Sequence, residues 1–389
     1  MVIFSYFCLM DKIYFDNAAT TRIDNEVINV ISQSMGEIYG NPSSIHQFGR
    51  TAKSKIEKVR KNIAKIFNVT ASEIIFTAGG SEADNMIIRN AVSNLGVQRI
   101  ITSKIEHHAV IHTIECLQEN NDIEILFVDV DKNGLIDLNH LETLLTASSL
   151  KTLVSLMFIN NEIGTVLDAK AVSKLCKNSN ALFHSDTVQV IGHYNLDLQE
   201  LPFDFVVASA HKFHGPKGVG FAYFKKGFGI KPILTGGSQE RGARAGTENV
   251  HGILGMDKAL ELVYSNLEEE IIFIACLKKY FIEQLKLHIS GVQFNGDVSN
   301  DKISNYSILN VRFPVDNPML LFTLDMKGIA VSGGSACQSG SAGGSHVLNA
   351  ILPFDEAKKT SVRFSFSKYN TKDEIDTVIK ELKEVLNKF

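Results

Sequence analysis

From residue 73 onward, short apolar runs alternate with stretches of helical periodicity. EIIFTA (73–78) reads as a strand and SEADNMIIRNAV (81–92) as a helix. RIITSK (99–104) and EHHAVIHTIECLQ (106–118) repeat the pair, as do EILFVDV (124–130) with LNHLETLL (138–145) and TLVSLMFIN (152–160) with AKAVSKLCKN (169–178). ALFHSD (181–186), FDFVVASA (203–210) and GVGFAYF (218–224) complete seven strands. Continuous apolar strands between amphipathic helices predict an α/β fold: a mostly parallel seven-stranded sheet flanked by helices. Ligands of such sheets bind at the carboxyl ends of the strands. The unusual residues fall at those ends: Gly79 to Ser81, His107, Asn161, Asp186, and Ser209 to Lys212.

The character changes after about residue 255. MDKALELVYSNLEEEIIFIACLKKYFIEQLK (256–286) reads as one long amphipathic helical stretch, straight or kinked, at a domain boundary. SNYSILNVRF (304–313), IAVSGG (329–334), TSVRFSFS (360–367) and a last helix from about Lys372 read as a smaller α+β domain. The expected division is a large domain over 16–256 and a small one built from 1–15 and 257–389. The segment SGGSACQSGSAGGS (332–345) is rich in Gly and Ser, as a linker would be, but carries Cys337 near its middle.

Composition narrows the classes. The chain has 389 residues and a formal net charge of -4, so no basic footprint points to nucleic acid. No apolar run approaches the roughly 18 residues of a membrane span. Five cysteines, with no CxxC pair, fit a reduced cytoplasm better than a disulfide framework. The opening MVIFSYFCLM lacks the basic start of a secretory signal.

The candidate chemistry sits in four motifs. In TAGGSEADN (77–85), two glycines free the backbone amides of a helix start for a phosphate, and Ser81 with Asp84 suggests a capping box. In HSDTVQ (184–189), Asp186 is either a helix cap or a carboxylate for a protonated ring nitrogen, with Gln189 three residues on. EHHAV (106–110) offers His107 for stacking or proton transfer; no HExxH-like spacing supports a metal. VASAHKFHGP (207–216) brings Lys212 to the end of a buried strand, beside Ser209, His211 and His214. A lysine there is either solvated or a Schiff-base nucleophile. A phosphate cradle, a carboxylate, an aromatic-stacking histidine and a lysine together suit pyridoxal phosphate.

The chain resembles the cysteine desulfurases of the pyridoxal-phosphate class V aminotransferase superfamily, of the nitrogen-fixation and iron–sulfur-cluster type. The likeness runs through YFDNAATT (14–21), YGNPSSIHQFGR (39–50), FTAGGSEADN (76–85), EHHAV, NNEIGT (160–165), HSDTVQ, SAHKFHGPKGVG (209–220), GGSQERGARAGTEN (236–249), SGGSACQS (332–339) and SVRFS (361–365). It implies the fold-type I architecture of these enzymes and conversion of L-cysteine to L-alanine, with the sulfur left as a persulfide on Cys337. A selenocysteine lyase or another class V lyase is the alternative. By resemblance, Lys212 holds the cofactor aldehyde and His107 stacks on the pyridine ring. Asp186 meets the ring nitrogen and Gln189 the phenolic oxygen. Gly80, Ser81, Ser209 and His211 bind phosphate, and Thr247 reaches the phosphate of the other subunit of a homodimer. Asn161 and Arg363 hold the substrate carboxylate. The expected partner is a sulfur-acceptor protein, a cluster scaffold or a thiolation relay. Ser81 stands where members often carry threonine, which keeps the hydroxyl. Because the first motif begins at Tyr14, translation is expected to start at Met10.

Overall fold

The computed structural model describes residues 12–334 and 344–386. In chain order the elements are β1 (Ile13–Tyr14), α1 (Asn25–Glu37), α2 (Gln47–Ile66), β2 (Ile74–Thr77), α3 (Gly80–Ser93), β3 (Arg99–Thr102), α4 (His108–Asn120) and β4 (Glu124–Phe127). There follow α5 (Leu138–Thr146), β5 (Thr152–Ser155), α6 (Ala169–Asn178), β6 (Leu182–Ser185), β7 (Phe205–Ser209), β8 (Gly220–Phe224), α7 (Val250–Ser265) and α8 (Leu267–His288). The rest are β9 (Gln293–Asn295), β10 (Ile308–Arg312), α9 (Leu320–Met326), β11 (Ile329–Ala330), α10 (His346–Ile351), α11 (Phe354–Ala357), β12 (Ser361–Ser365) and α12 (Lys372–Leu386).

Seven strands form one sheet in the order β2-β8-β7-β6-β5-β3-β4. Only β8 runs against the others: it pairs antiparallel with both β2 and β7. Successive residues of a strand face opposite sides, so each strand feeds two cores. Ile74, Phe76, Val206 and Ala208 join the core under α1, α2, α5, α6 and α7. Ile75, Phe205 and Val207 join the core under α3 and α4. With both faces covered, β2, β3, β5, β7 and β8 are buried at every residue. The apolar runs were legible for this reason. The helices show the matching stripe; in α2 it is Ala52, Ile56, Val59 and Ile63.

A separate core surrounds the antiparallel sheet β12-β10-β9 and the small parallel pair of β1 with β11. Phe281 of α8 packs against Phe15, Phe364 and Phe366 there. The residues near the start of the described chain, Ile13 and Phe15, therefore pack with segments from residue 274 on. The long helical stretch expected over 256–286, straight or kinked, is two helices. α7 ends at Ser265, and α8 starts after Asn266 with Glu268, Glu269 and Glu270 in its first turn. Acidic residues there favour a new helix start through its dipole. Leu267 belongs to the first core and Ile274 to the second, so the hand-over lies within α8.

Candidate active site

The site forms where the carboxyl ends of β2, β5, β6 and β7 meet the segment that follows β1. β2 ends at Thr77, and Gly79 takes φ 147, a backbone that side chains rarely adopt. A Cβ on Gly80 would come within 2.7 Å of the Val188 side chain. These two glycines let α3 begin tight against the end of the sheet, with no side chain capping its first turn. Its first N–H groups therefore have no intrahelical partner. The capping box expected of Ser81 and Asp84 does not form. Ser81 lies inside the helix at the cavity wall, and Asp84 is buried in that wall instead.

β7 ends at Ser209, and a single helical turn over 210–212 carries His211 and Lys212. Phe213 and Gly215 both donate to Ala210 O, which folds the chain back sharply. Thr21 stitches this turn to the N-terminal segment: its N–H donates to His211 O, and its Oγ1 accepts from His214 N at 2.7 Å. Lys212 Nζ donates to Ala18 O at 2.6 Å and to Ala19 O at 2.9 Å. Gln189 Nε2 donates to Ala18 O as well, at 3.0 Å. YFDNAATT thus supplies carbonyls to the site. Its lack of side-chain functionality at Ala18 and Ala19 had concealed this.

One cavity of about 220 Å³ gathers Gly80, Ser81, His107, Asn161, Asp186, Gln189, Ser209, His211, Lys212 and Arg363. Ten of the candidate residues are thereby brought together. Thr247 is exposed and lines no part of this cavity. Cys337 lies outside the described residues. The chain departs toward it beside Arg363, since Ser332 and Arg363 exchange backbone hydrogen bonds, and it returns at Ser345, whose Oγ donates to Glu162.

The cavity is polarised. At one end Asp186 is buried and accepts from Val188 N at 2.9 Å. Burial pushes its carboxyl up, while His107, that N–H and Lys212 pull it down. His107 accepts from Ala109 N and caps α4; burial holds its imidazole below the usual range, against the pull of Asp186. At the other end Arg363 is 1% exposed. It donates through Nη1 to Asn161 O and through Nη2 to Asp16 Oδ1, and its Nε has no partner. Asn161 meets Arg363 through its backbone, not its amide. His211 is pushed down to about 4 by burial, and its Nδ1 pairs with Thr20 Oγ1.

Of two further groups in or near the wall, Glu106 went unread and Asp84 was read only as half of a capping box. Asp84 falls on the apolar stripe of α3 with Ile87, Ile88 and Ala91, and an acid on such a stripe was the available signal. A third cluster was also missed. His108 stacks on His112 one turn later and meets His346 at a tilt, ring centroids 4.4 Å apart. Only folding brings His346 there.

The residues present fit pyridoxal phosphate. A helix start with Ser81, Ser209 and His211 can take the phosphate, Asp186 the ring nitrogen, and Lys212 the aldehyde.

The aminotransferase class-V family model matches residues 13–378. The chain belongs to the aminotransferase class-V family. Within it, the chain is 42% identical over 380 residues to the cysteine desulfurase IscS of Dictyoglomus turgidum, covering 97% of this chain and 95% of that one. It is 40% identical to the cysteine desulfurase IscS of Methanosarcina thermophila, over 97% of this chain and 92% of that one. Among solved structures, a NifS-like protein superposes with a TM-score of 0.89 at 36% identity, over 97% of this chain and all of that one. SspA in complex with cysteine superposes with a TM-score of 0.79 at 27% identity, over 93% of this chain. Class-V members of this type depend on pyridoxal phosphate, the cofactor the cavity fits.

Proposed function

We propose that this chain is a cysteine desulfurase that converts L-cysteine to L-alanine and keeps the sulfur as a persulfide. The observation that carries this reading is one cavity holding Lys212, Asp186 and His107 at one end and Arg363 at the other. The full-length similarity to proteins named cysteine desulfurase agrees with it.

When bound, pyridoxal phosphate supplies an electron sink for the pair released at the substrate Cα. The residues do the rest. Gly80, Ser81, Ser209 and His211 hold the phosphate. Asp186 keeps a proton on the ring nitrogen, Gln189 donates to the phenolic oxygen, and His107 covers the ring face. The Arg363 guanidinium, braced by Asp16 and Asn161 O, presents its remaining N–H groups to the substrate carboxylate. Lys212 Nζ takes the Cα proton and later returns one to the alanine carbon. The Cys337 thiolate attacks the substrate sulfur: the C–S bond breaks, an S–S bond forms, and cysteine plus enzyme thiol become alanine plus enzyme persulfide. The persulfide then passes to an acceptor protein, a cluster scaffold or thiolation relay.

We further propose a homodimer in which Thr247 serves the partner's phosphate, supported by its exposure away from this cavity. The division into a domain over 16–256 and one over 1–15 and 257–389 is likewise proposed. A cytoplasmic setting is favoured by the free thiols Cys116, Cys176 and Cys276. Among the described residues no helix is long and apolar enough to cross a membrane.

The test is Cys337→Ala. It should bind the cofactor and L-cysteine yet form no persulfide, and alanine formation should fall by about a hundredfold or more. Near-normal alanine formation would reject Cys337 as the sulfur acceptor.

A further inference from the structure

Behind Asp186 stands a line of buried polar groups that the reaction above leaves unused. Asp84, on α3, is 1% exposed and lines the cavity. Its Oδ1 lies 3.4 Å from His184 Nε2, and neither atom has a hydrogen-bond partner. His184 stands on β6, two residues before Asp186 and on the same face of the sheet. Its Nδ1 lies 2.9 Å from Ser155 Oγ. Oxygens of Asp84 and Asp186 and a ring nitrogen of His107 all come within 4.8 Å of one another. Glu106 is a further buried acid within electrostatic reach of both: it accepts from Ser103 Oγ at 2.6 Å, and its Oε2 has no partner.

Three carboxyls this dry and within electrostatic reach of one another cannot all be charged. Asp186 has cationic help from Lys212 and from His107 when protonated. Asp84 has none. Burial first, then the charges of Asp186 and Glu106, hold it well above the usual carboxylate range. Burial pushes Glu106 up to about 8. His184 is pushed down to about 3 by burial, so it meets Asp84 as a neutral ring. With the Ser155 hydroxyl donating to Nδ1, the ring hydrogen sits on Nε2, the nitrogen on the Asp84 side, 3.4 Å from Oδ1 but outside hydrogen-bond alignment. A carboxyl hydrogen on Oδ2 leaves Oδ1 toward the ring and is available to Asp186, one of whose oxygens lies within 4.8 Å of an Asp84 oxygen.

We propose that Asp84 is a positioning residue for Asp186: with Oδ1 toward His184, it offers its carboxyl O–H to the Asp186 carboxylate, and so keeps the charge on Asp186 and the proton on the ring nitrogen of the bound cofactor. A hydrogen bond to the charged form of an acid stabilises that form. Losing it moves the shared proton from the ring toward Asp186. This rests on the pyridoxal-phosphate reading, and it deepens that reading by naming what sets the charge of the nitrogen-binding carboxylate.

The test loads the full-length protein with pyridoxal phosphate carrying an NMR-active nitrogen isotope in the ring. The ring-nitrogen chemical shift and the cofactor Kd are compared for wild type, Asp84→Asn and Asp84→Ala. Asp84→Asn keeps a neutral N–H donor of the same shape, and its resonance should stay at the protonated position. Asp84→Ala should move the resonance toward neutral pyridine and weaken cofactor binding by about tenfold, the size of one hydrogen bond to a charged group. Should Asp84→Ala fail to fold, Asp84→Val fills the space without a donor and should move the resonance the same way. A wild-type position in Asp84→Ala or Asp84→Val overturns the proposal, as does an equal displacement in Asp84→Asn. A purely structural Asp84 would lower the melting temperature and leave the resonance in place. If wild type itself takes up no cofactor, the pyridoxal-phosphate reading fails and not this inference alone.

Discussion

Lys212 and Lys278 both rest their amines on backbone carbonyls inside the molecule, and they make an instructive pair. Lys212 donates to Ala18 O and Ala19 O at the end of β7; Lys278 donates to Asn305 O and to Ser304 Oγ from the middle of α8. Lys278 is the more buried, at 7% exposure, and burial pushes its amine down to about 8. A depressed amine therefore does not by itself mark chemistry. What separates the two is what lies beyond the amine. Lys212 faces a cavity with Asp186 and His107 within electrostatic reach, whereas Lys278 is sealed by the segment over 304–305. A lysine with space for a ligand can react; a lysine with its space filled can only brace.

The largest expected effect breaks the pair at its active member. Lys212→Ala removes both the cofactor's covalent anchor and the base at Cα. Turnover should fall by about a thousandfold or more, within the range or beyond it for loss of a general base. Steady-state alanine formation and the visible absorption of the loaded protein measure this. Retention of both would place the reactive amine elsewhere.

The second effect is on stability. Lys278→Met keeps the apolar stem and removes the donor, leaving Asn305 O without its partner. The cost should be about 1–3 kcal/mol in denaturant unfolding, with turnover within about threefold of wild type. A loss of turnover comparable to that of Lys212→Ala, in protein that stays folded, would show that the sealed lysine serves the reaction and that the contrast drawn here is false.

The sequence made one of these lysines visible and hid the other, for a physical reason. Lys212 follows a strand buried at every position, so its place at a strand end could be read from local pattern alone. Lys278 sits in a helix where a lysine is ordinarily solvent-facing; only the return of residues 304–305 from elsewhere in the chain buries it. The same division holds for the site. Asp186, Gly80, Ser81 and His107 announce themselves at strand ends. Asp84 reads as a helix-start cap, with only its place on an apolar stripe to suggest burial, and the meeting of His346 with His108 depends on segments more than two hundred residues apart. The break at Asn266 was legible in SNLEEE, but the apolar periodicity on both sides ran straight across it.

The smallest effect sharpens the comparison through pH. The folded-state amine of Lys278 titrates near 8, below the ordinary lysine value of 10.5. Between these two values the unfolded chain holds a proton that the folded chain has released. Stability contributed at this site is thus fully present above 10.5 and is lost as pH falls through 8; raising pH across the window favours folding. From pH 8 to pH 9 the gain should be about 1 kcal/mol. Other groups also titrate there, so the quantity to measure is the difference in unfolding free energy between wild type and Lys278→Met across that range. Methionine carries no proton, and the difference should shift toward wild type by that amount as pH rises. A difference that stays flat would mean that the Lys278 amine keeps its ordinary basicity, held by the carbonyl of Asn305 and by Asp301 despite its burial. The two lysines would then differ only in access to the cavity, and not in the electrostatics of their surroundings.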